Sequence, residues 1–301
     1  MSTILSDIPT PSPGSRELVR GSYDLHVHID PDVVGRIVDD VTLAGRFRAL
    51  GLAGFGLKSH YTSTAERARV VTRVVPEVRA IGTIVLNAAV GGLNPLAVEI
   101  AAREGARIVW LPTVDSENEA SEEGDKPAKQ PVWRKIQDEF AAAGVATEPV
   151  RLTESGLAKV LEVVARHGLV LATGHLGRAE IHTVVDAALA AGVSDVVVTH
   201  PDYPTQGVPL DEQRSLADRG ALLERCFAPI HTGKVTWEKT FEAIRATGPE
   251  HNVLSTDLGQ VTTPPVEDGL ALLADRLLEA GFSEDDVRTM AVVNTRKLAG
   301  A

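Results

Sequence analysis

The run Tyr23-Asp24-Leu25-His26-Val27-His28-Ile29 decides how the rest of the chain is read. It has the apolar, β-branched character of a short buried strand, interrupted by Asp24 and two histidines. Side chains alternate along a strand, so His26 and His28 point to the same side. Two imidazoles facing one way from a rigid strand can bind one metal ion. The plainer alternative is one satisfied core histidine and one lining a polar pocket. Burying two unpaired rings is costly, so partners must come from elsewhere in the chain.

Seven further runs of this kind follow: Gly54–His60, Ile81–Asn87, Arg107–Thr113, Leu169–His175, Asp195–His200, Ala221–Ala228 and Asn252–Asp257. Between them lie helical patterns, among them Thr64–Arg79, Pro95–Glu104, Ser155–His167, Ala179–Ala191 and Trp237–Thr247. Gly105, Gly168, Gly192 and Gly248 stand just before the next strand, where glycine ends a helix by taking the left-handed conformation. Successive strand ends are 25 to 31 residues apart, one strand–helix unit each, except for 62 between the fourth and fifth. Eight such units predict an α/β fold, a single-domain (β/α)8 TIM barrel with an insertion after strand four. A doubly wound open sheet is the alternative. No glycine fingerprint of a dinucleotide site follows the first strand.

On this frame residues 1–20, rich in Ser and Pro, form a flexible N-terminal segment, and residues 21–301 form the barrel. Residues 114–151 are the insertion. Its acidic first part, Asp115 to Asp125, is expected to be a mobile, solvated loop. It leaves the rim where barrel active sites form, and reads equally as a lid or as an idle excursion. An amphipathic helix over Glu284–Ala299 is expected to close the barrel.

The net charge of −11 argues against nucleic acid and anionic membranes as partners. A small-molecule substrate remains, with self-association open. The N-terminus lacks the apolar core of a secretory signal. No apolar run approaches the roughly 18 residues needed to span a bilayer. Cys226 is the only cysteine, which suits a reducing compartment. A cytoplasmic location is expected.

The unusual polar residues fall where apolar strands reach the C-terminal rim. These are His26 and His28 (strand one), Lys58 and His60 (two), His175 (five), His200 (six) and Asp257 (eight). Packing alone does not gather five histidines, an aspartate and a lysine on one rim. Neutral imidazole and carboxylate suit Zn²⁺ above all, and also Mn²⁺ or Fe²⁺. Such an ion acidifies a bound water and polarises a substrate carbonyl.

This ordered set resembles the amidohydrolase superfamily of metal-dependent barrel enzymes. The likeness rests on His26-Val27-His28, His175, His200 and Asp257, and on a closing Asn-x-x-x-x-x-Gly segment from Asn294 to Gly300. It implies that His26, His28 and Asp257 hold a first metal. It implies that His175 binds the same ion or a second one. His200 would be a second-metal ligand, or a base and electrophile beside the substrate. Asp257 would also accept a proton from the metal-activated water. Two-metal members usually carry a bridging carboxylated Lys, Glu or Cys on strand four, whereas here strand four ends Val109-Trp110-Leu111-Pro112-Thr113. Lys58 is the nearby candidate. It could be carboxylated and bridge two metals, stay cationic and bind a substrate carboxylate, or pair with an acid as plain structure. His60 either meets substrate or orients a ligand. Tyr61, Arg178, Tyr203, Glu224 and His231 stand at strand ends or in rim loops and could touch substrate, although surface solvation explains each one alone.

The resemblance implies a hydrolase in which activated water attacks an amide, cyclic amide, lactone or ester, with one or two ions. The alternative in the same superfamily is a metal-dependent non-oxidative decarboxylase or C–C lyase, which a cationic Lys58 would favour. A phosphoesterase is suggested by Asp24-Leu25-His26-Val27-His28, but that family expects Asp-x-His near its end and this chain has Asp257-Leu258-Gly259. A binding protein built on the barrel would be expected to lose ligands, and none is missing.

Overall fold

All eight predicted strands form, and the fifth, sixth and eighth end two or three residues before His175, His200 and Asp257. They are β1 (Tyr23–Val27), β2 (Gly54–Leu57), β3 (Arg79–Val85), β4 (Ala106–Trp110), β5 (Val170–Ala172), β6 (Asp195–Val198), β7 (Leu222–Cys226) and β8 (Asn252–Ser255). In the computed structural model, which describes residues 9–121, 132–145 and 148–301, they pair in chain order as one parallel sheet. The helices are α1 (Pro13–Leu18), α2 (Asp40–Leu50), α3 (Ala65–Val74), α4 (Pro95–Glu104), α5 (Glu117–Ala120), α6 (Val132–Ala142) and α7 (Glu154–Arg166). They continue with α8 (Arg178–Ala190), α9 (Leu210–Asp218), α10 (Phe227–His231), α11 (Trp237–Thr247), α12 (Gly269–Glu279), α13 (Glu284–Arg288) and α14 (Asn294–Ala299). Parallel neighbours need crossovers, and a helix supplies each one. The result is a (β/α)8 barrel. Among the described residues no helix is long and apolar enough to cross a membrane.

Two apolar layers follow from strand alternation. Leu25, Ile81, Val85, Ile108, Trp110, Val170, Val197, Leu222 and Val253 fill the barrel interior. Residues of opposite parity, such as Phe55, Leu57, Val109, Leu171 and Leu223, pack outward against helices. At β1 the alternation breaks. Asp24 pairs with Phe55 and Val27 with Leu57, so β1 carries one residue more than β2 between these points. This bulge lets Leu25 join the interior cluster while its neighbour His26 also turns inward, 5.7 Å from the Trp110 ring. Gly56 opposite makes room, because a Cβ there would lie 2.4 Å from the Leu25 carbonyl oxygen.

The barrel closes between β8 and β1 at the histidine pair itself. His28 N donates to Leu258 O (2.8 Å) and Asp257 N to His26 O (2.8 Å). Beneath them Asp24 accepts from Thr256 N (3.0 Å) and Thr256 Oγ1 (2.5 Å). The backbone that seals the barrel therefore also presents its candidate ligands.

Three expectations need correction or refinement. Residues 1–20 are not uniformly flexible: α1 is capped by Ser12, whose N and Oγ bond Asp275 on α12 (2.9 and 2.6 Å). Residues 1–8 lie outside the described residues. The acidic start of the insertion is not a solvated loop as far as Ser121. α5 forms there, capped by Ser116, because its acids find partners: Asp115 accepts from Ala88 N, and Glu119 lies against His175. Residues 122–131 lie outside the described residues. The closing helix is α13 joined to α14 by a π-helical turn at Thr289–Val293. Asn294 anchors it by donating to Asn252 O at the foot of β8 (2.7 Å).

Candidate metal centre

Asp257 Oδ1 lies 3.1 Å from His26 Nε2 and 3.2 Å from His28 Nε2. Both imidazoles are buried, while a fifth of the Asp257 side chain is exposed. One carboxylate oxygen thus reaches two ring nitrogens on the interior side of the seam.

The histidines from β5 and β6 reach the same place off the strand period. Gly174 takes φ +64°, where a Cβ would meet the carbonyl oxygens of Leu111 and Pro112 at 2.3 and 2.5 Å. That turn swings His175 inward. Among the described residues His200 and Asp257 are the non-glycine residues with positive φ, at 25° and 53°. Such conformations cost roughly 1–3 kcal/mol each and persist where surrounding structure enforces them. Five imidazoles then form a closed circuit, with ring-centre separations of 5.4 Å (His26–His28), 4.9 Å (His28–His60), 6.0 Å (His60–His175), 5.1 Å (His175–His200) and 6.1 Å (His200–His26).

Burial keeps most of these rings neutral, the form that binds metals. Desolvation holds His28 and His60 well below their usual range, lowers His175, and takes His200 to about 3. His26 differs. Burial and Lys58 pull it down, but Asp257 and Glu224 outweigh them and raise it to about 9. The two carboxylates therefore favour the protonated, cationic form of His26 in the absence of a metal ion. Asp257 is held well below the carboxylate range and Glu224 at about 2, each despite burial, with His26 the leading opposing influence.

Lys58 Nζ stands 2.8 Å from His26 Nε2 and 5.2 Å from the centre of the Trp110 ring. Burial lowers its pKa. Among the described residues no carboxylate oxygen lies within 4.0 Å of it, which removes the plain ion-pair reading.

Glu224 and Glu119 have larger parts than the sequence showed. Glu224, on β7, is buried, and both its oxygens lie 3.2 Å from His26 Nδ1. A carboxylate there holds the proton on Nδ1, so that Nε2 is the nitrogen that would be left to a metal ion. Glu119 Oε1 lies 3.3 Å from His175 Nδ1 and accepts from Thr205 Oγ1 (2.9 Å). Strand parity could have found Glu224, two residues beyond interior Leu222. Nothing in the acidic stretch marked Glu119.

Of the remaining predicted positions, His60 Nδ1 is 2.8 Å from Thr113 Oγ1, which also accepts from Asn87 Nδ2 (2.8 Å). His200 Nδ1 is 3.1 Å from Gln206 Oε1. Tyr61 packs edge-on to His60 (6.2 Å) and to Phe140 of α6 (6.3 Å). The Tyr203 ring is 5.2 Å from that of His200. Two residues are not brought to the cluster. Arg178, at the start of α8, is over half exposed and ion-paired with Glu212. His231, at the end of α10, is exposed and stacks on Phe227 (5.7 Å). Each has its partner away from the imidazole circuit.

His26, His28 and Asp257 offer ligand atoms all within 4.8 Å of one another. The two nitrogens and the carboxylate oxygen suit a divalent ion of the Zn²⁺, Mn²⁺ or Fe²⁺ type.

The model of a family of unknown function, DUF6282, matches residues 21–224. Among solved structures, the fold is similar to that of a probable dipeptidase from Pseudomonas aeruginosa (TM-score 0.63, 12% identity, 95% of this chain and 97% of that one). It is also similar to an amidohydrolase from Pseudomonas aeruginosa (TM-score 0.60, 14% identity, 96% and 100%). A third is a metallo peptidase from Rhodobacter sphaeroides bearing a phosphinate mimic of the dipeptide L-Ala-D-Ala (TM-score 0.55, 15% identity, 96% and 94%). The barrel shares the fold of these enzymes along nearly its whole length.

Proposed function

The chain belongs to the DUF6282 family of unknown function, and we propose that it is a metal-dependent hydrolase of small molecules, acting on an amide, cyclic amide, lactone or ester carbonyl. The observation that carries this reading is the convergence of His26 Nε2, His28 Nε2 and Asp257 Oδ1 at the barrel rim. The reading is supported by the fold that the chain shares with a probable dipeptidase and a metallo peptidase.

In this reading His26, His28 and Asp257 hold a divalent ion, most simply Zn²⁺, with His175 and His200 as ligands to it or to a second ion. When bound, the ion supplies Lewis acidity and lowers the pKa of water toward neutrality. Asp257 is a carboxylate at neutral pH and stands at the open side of the site, placed to take the proton from the attacking water and pass it to the leaving group. Glu224 keeps the His26 ring in one tautomer. Gln206 orients His200 through its Nδ1 atom, and Glu119 lies 3.3 Å from His175 Nδ1. His60 and Tyr61 line the substrate side.

Lys58 decides between one and two ions. An ammonium cannot stay 2.8 Å from a nitrogen whose lone pair has gone to a metal. Lys58 would then either carry a carboxylate group that could help to hold an ion or turn to the substrate. Its lack of a carboxylate partner favours a role in the site, and a cationic Lys58 holding a substrate carboxylate supports the second reading, a non-oxidative decarboxylase.

The test is elemental analysis of the purified protein, followed by a panel of amides, lactones, esters and aromatic acids before and after chelation. Hydrolysis that disappears with the metal and returns on Zn²⁺ or Mn²⁺ addition is expected. Decarboxylation of an aromatic acid without hydrolysis would select the second reading.

A further inference from the structure

Beside the imidazole circuit, an ammonium on the neighbouring rim loop lacks a counter-ion. Lys234 follows α10 in a loop locked by backbone bonds from Gly233 N to Ile230 O (2.9 Å), Lys234 N to Pro229 O (2.9 Å) and Val235 N to Pro229 O (3.1 Å). Its side chain is half-buried, and its Nζ donates to Tyr203 Oη (2.8 Å). No carboxylate among the described residues comes within 4.0 Å of it. Tyr203 sits in a tight turn after β6, held by Tyr203 N to His200 O (2.9 Å) and Gly207 N to Tyr203 O (2.8 Å). Its ring is 5.2 Å from that of His200. Lys234 and Tyr203 therefore extend the line of site residues outward from His200.

The electrostatics agree with that placement. Burial lowers the Lys234 pKa, while the carboxylates of Asp257 and Glu119, on opposite sides of the pocket, raise it. Burial pushes the Tyr203 hydroxyl upward, so it stays protonated. A half-buried ammonium whose hydrogen-bond partner is a neutral phenol retains two N–H donors, and the phenol retains one O–H. A partly desolvated cation without a counter-ion is costly. Charge-assisted bonds to a bound anion would relieve that cost.

We propose that Lys234 Nζ and Tyr203 Oη form the subsite for a carboxylate carried by the substrate, which makes the substrate class a small carboxylated amide, lactone or ester. This rests on the hydrolase reading for the position of the reacting carbonyl, next to His26, His28 and Asp257. It goes beyond that reading in assigning Lys234 as the residue that sets specificity.

The experiment uses the full chain loaded with Zn²⁺ and two probes that share a metal-binding head, succinic acid monohydroxamate and butyrohydroxamate, measured by isothermal titration calorimetry. Wild type is expected to bind the carboxylated probe about tenfold or more tightly than the neutral one. Lys234→Met should bring the two affinities to within about twofold while leaving that of the neutral probe unchanged, and Lys234→Arg should keep the preference. Equal binding by wild type, or a preference that survives Lys234→Met, overturns the proposal. A chain that retains no divalent ion would overturn the hydrolase reading separately. Succinate alone then reads the subsite: binding that Lys234→Met weakens supports it, and unchanged binding overturns it.

Discussion

Lys58 Nζ lies 2.8 Å from His26 Nε2, the nitrogen that also faces Asp257 Oδ1 at 3.1 Å. The lysine therefore stands against the ring nitrogen that a metal ion held by His26 and Asp257 would need. If Lys58 becomes carboxylated and bridges, wild type grown with bicarbonate holds two ions per chain, and Lys58→Met holds one. Plasma mass spectrometry of both proteins checks this. Identical stoichiometry would leave Lys58 as a substrate-binding cation.

Asp257 combines a ligand oxygen with a depressed pKa at the open side of the site. Asp257→Asn keeps the shape and removes both the charge and the basic oxygen. Turnover should fall by about 10²–10⁴-fold, the usual contribution of general acid–base catalysis, with thermal unfolding little changed. Activity near wild type in steady-state assays would sink the assigned role.

Glu224, buried in the middle of β7, meets the far nitrogen of His26. Glu224→Gln should weaken metal affinity about 10–100-fold, as loss of a partner behind a ligating imidazole does. Competition with a graded chelator measures it. Once saturated with metal, the variant should recover most of its kcat, which separates positioning from chemistry.

Gly259 is required by the seam. At φ +126° its added Cβ would sit 1.5 Å from the His28 carbonyl oxygen, an impossible contact. Gly259→Ala must displace the chain beside His28 and should cost about 4 kcal/mol or more. Denaturant unfolding would show it, and metal binding should weaken in parallel. A stability within about 0.5 kcal/mol of wild type, the range of neutral surface changes, would contradict the backbone geometry.

Much of this protein is decided by local chemistry and is legible along the chain. Apolar runs at regular spacing, helices stopped by Gly105 or Gly248, and polar residues at strand ends are short-range signals, and they place eight strands and the rim set of His26, His28, Lys58, His60, His175, His200 and Asp257. Which of these side chains meet is not a short-range property. The bulge at Leu25 and His26 depends on Gly56 across the sheet, and the inward turn of His175 on Gly174 fitting against Leu111 and Pro112. Strand parity alone would leave these side chains on other faces. Glu119 reads as solvated acid until folding brings His175 to it from 56 positions along the chain, and Arg178 reads as a rim cation until Glu212 takes it. Periodicity and composition therefore determined the barrel and its ligand types. The tertiary structure alone decided the partners, because burial and charge pairing act between residues that the sequence holds far apart.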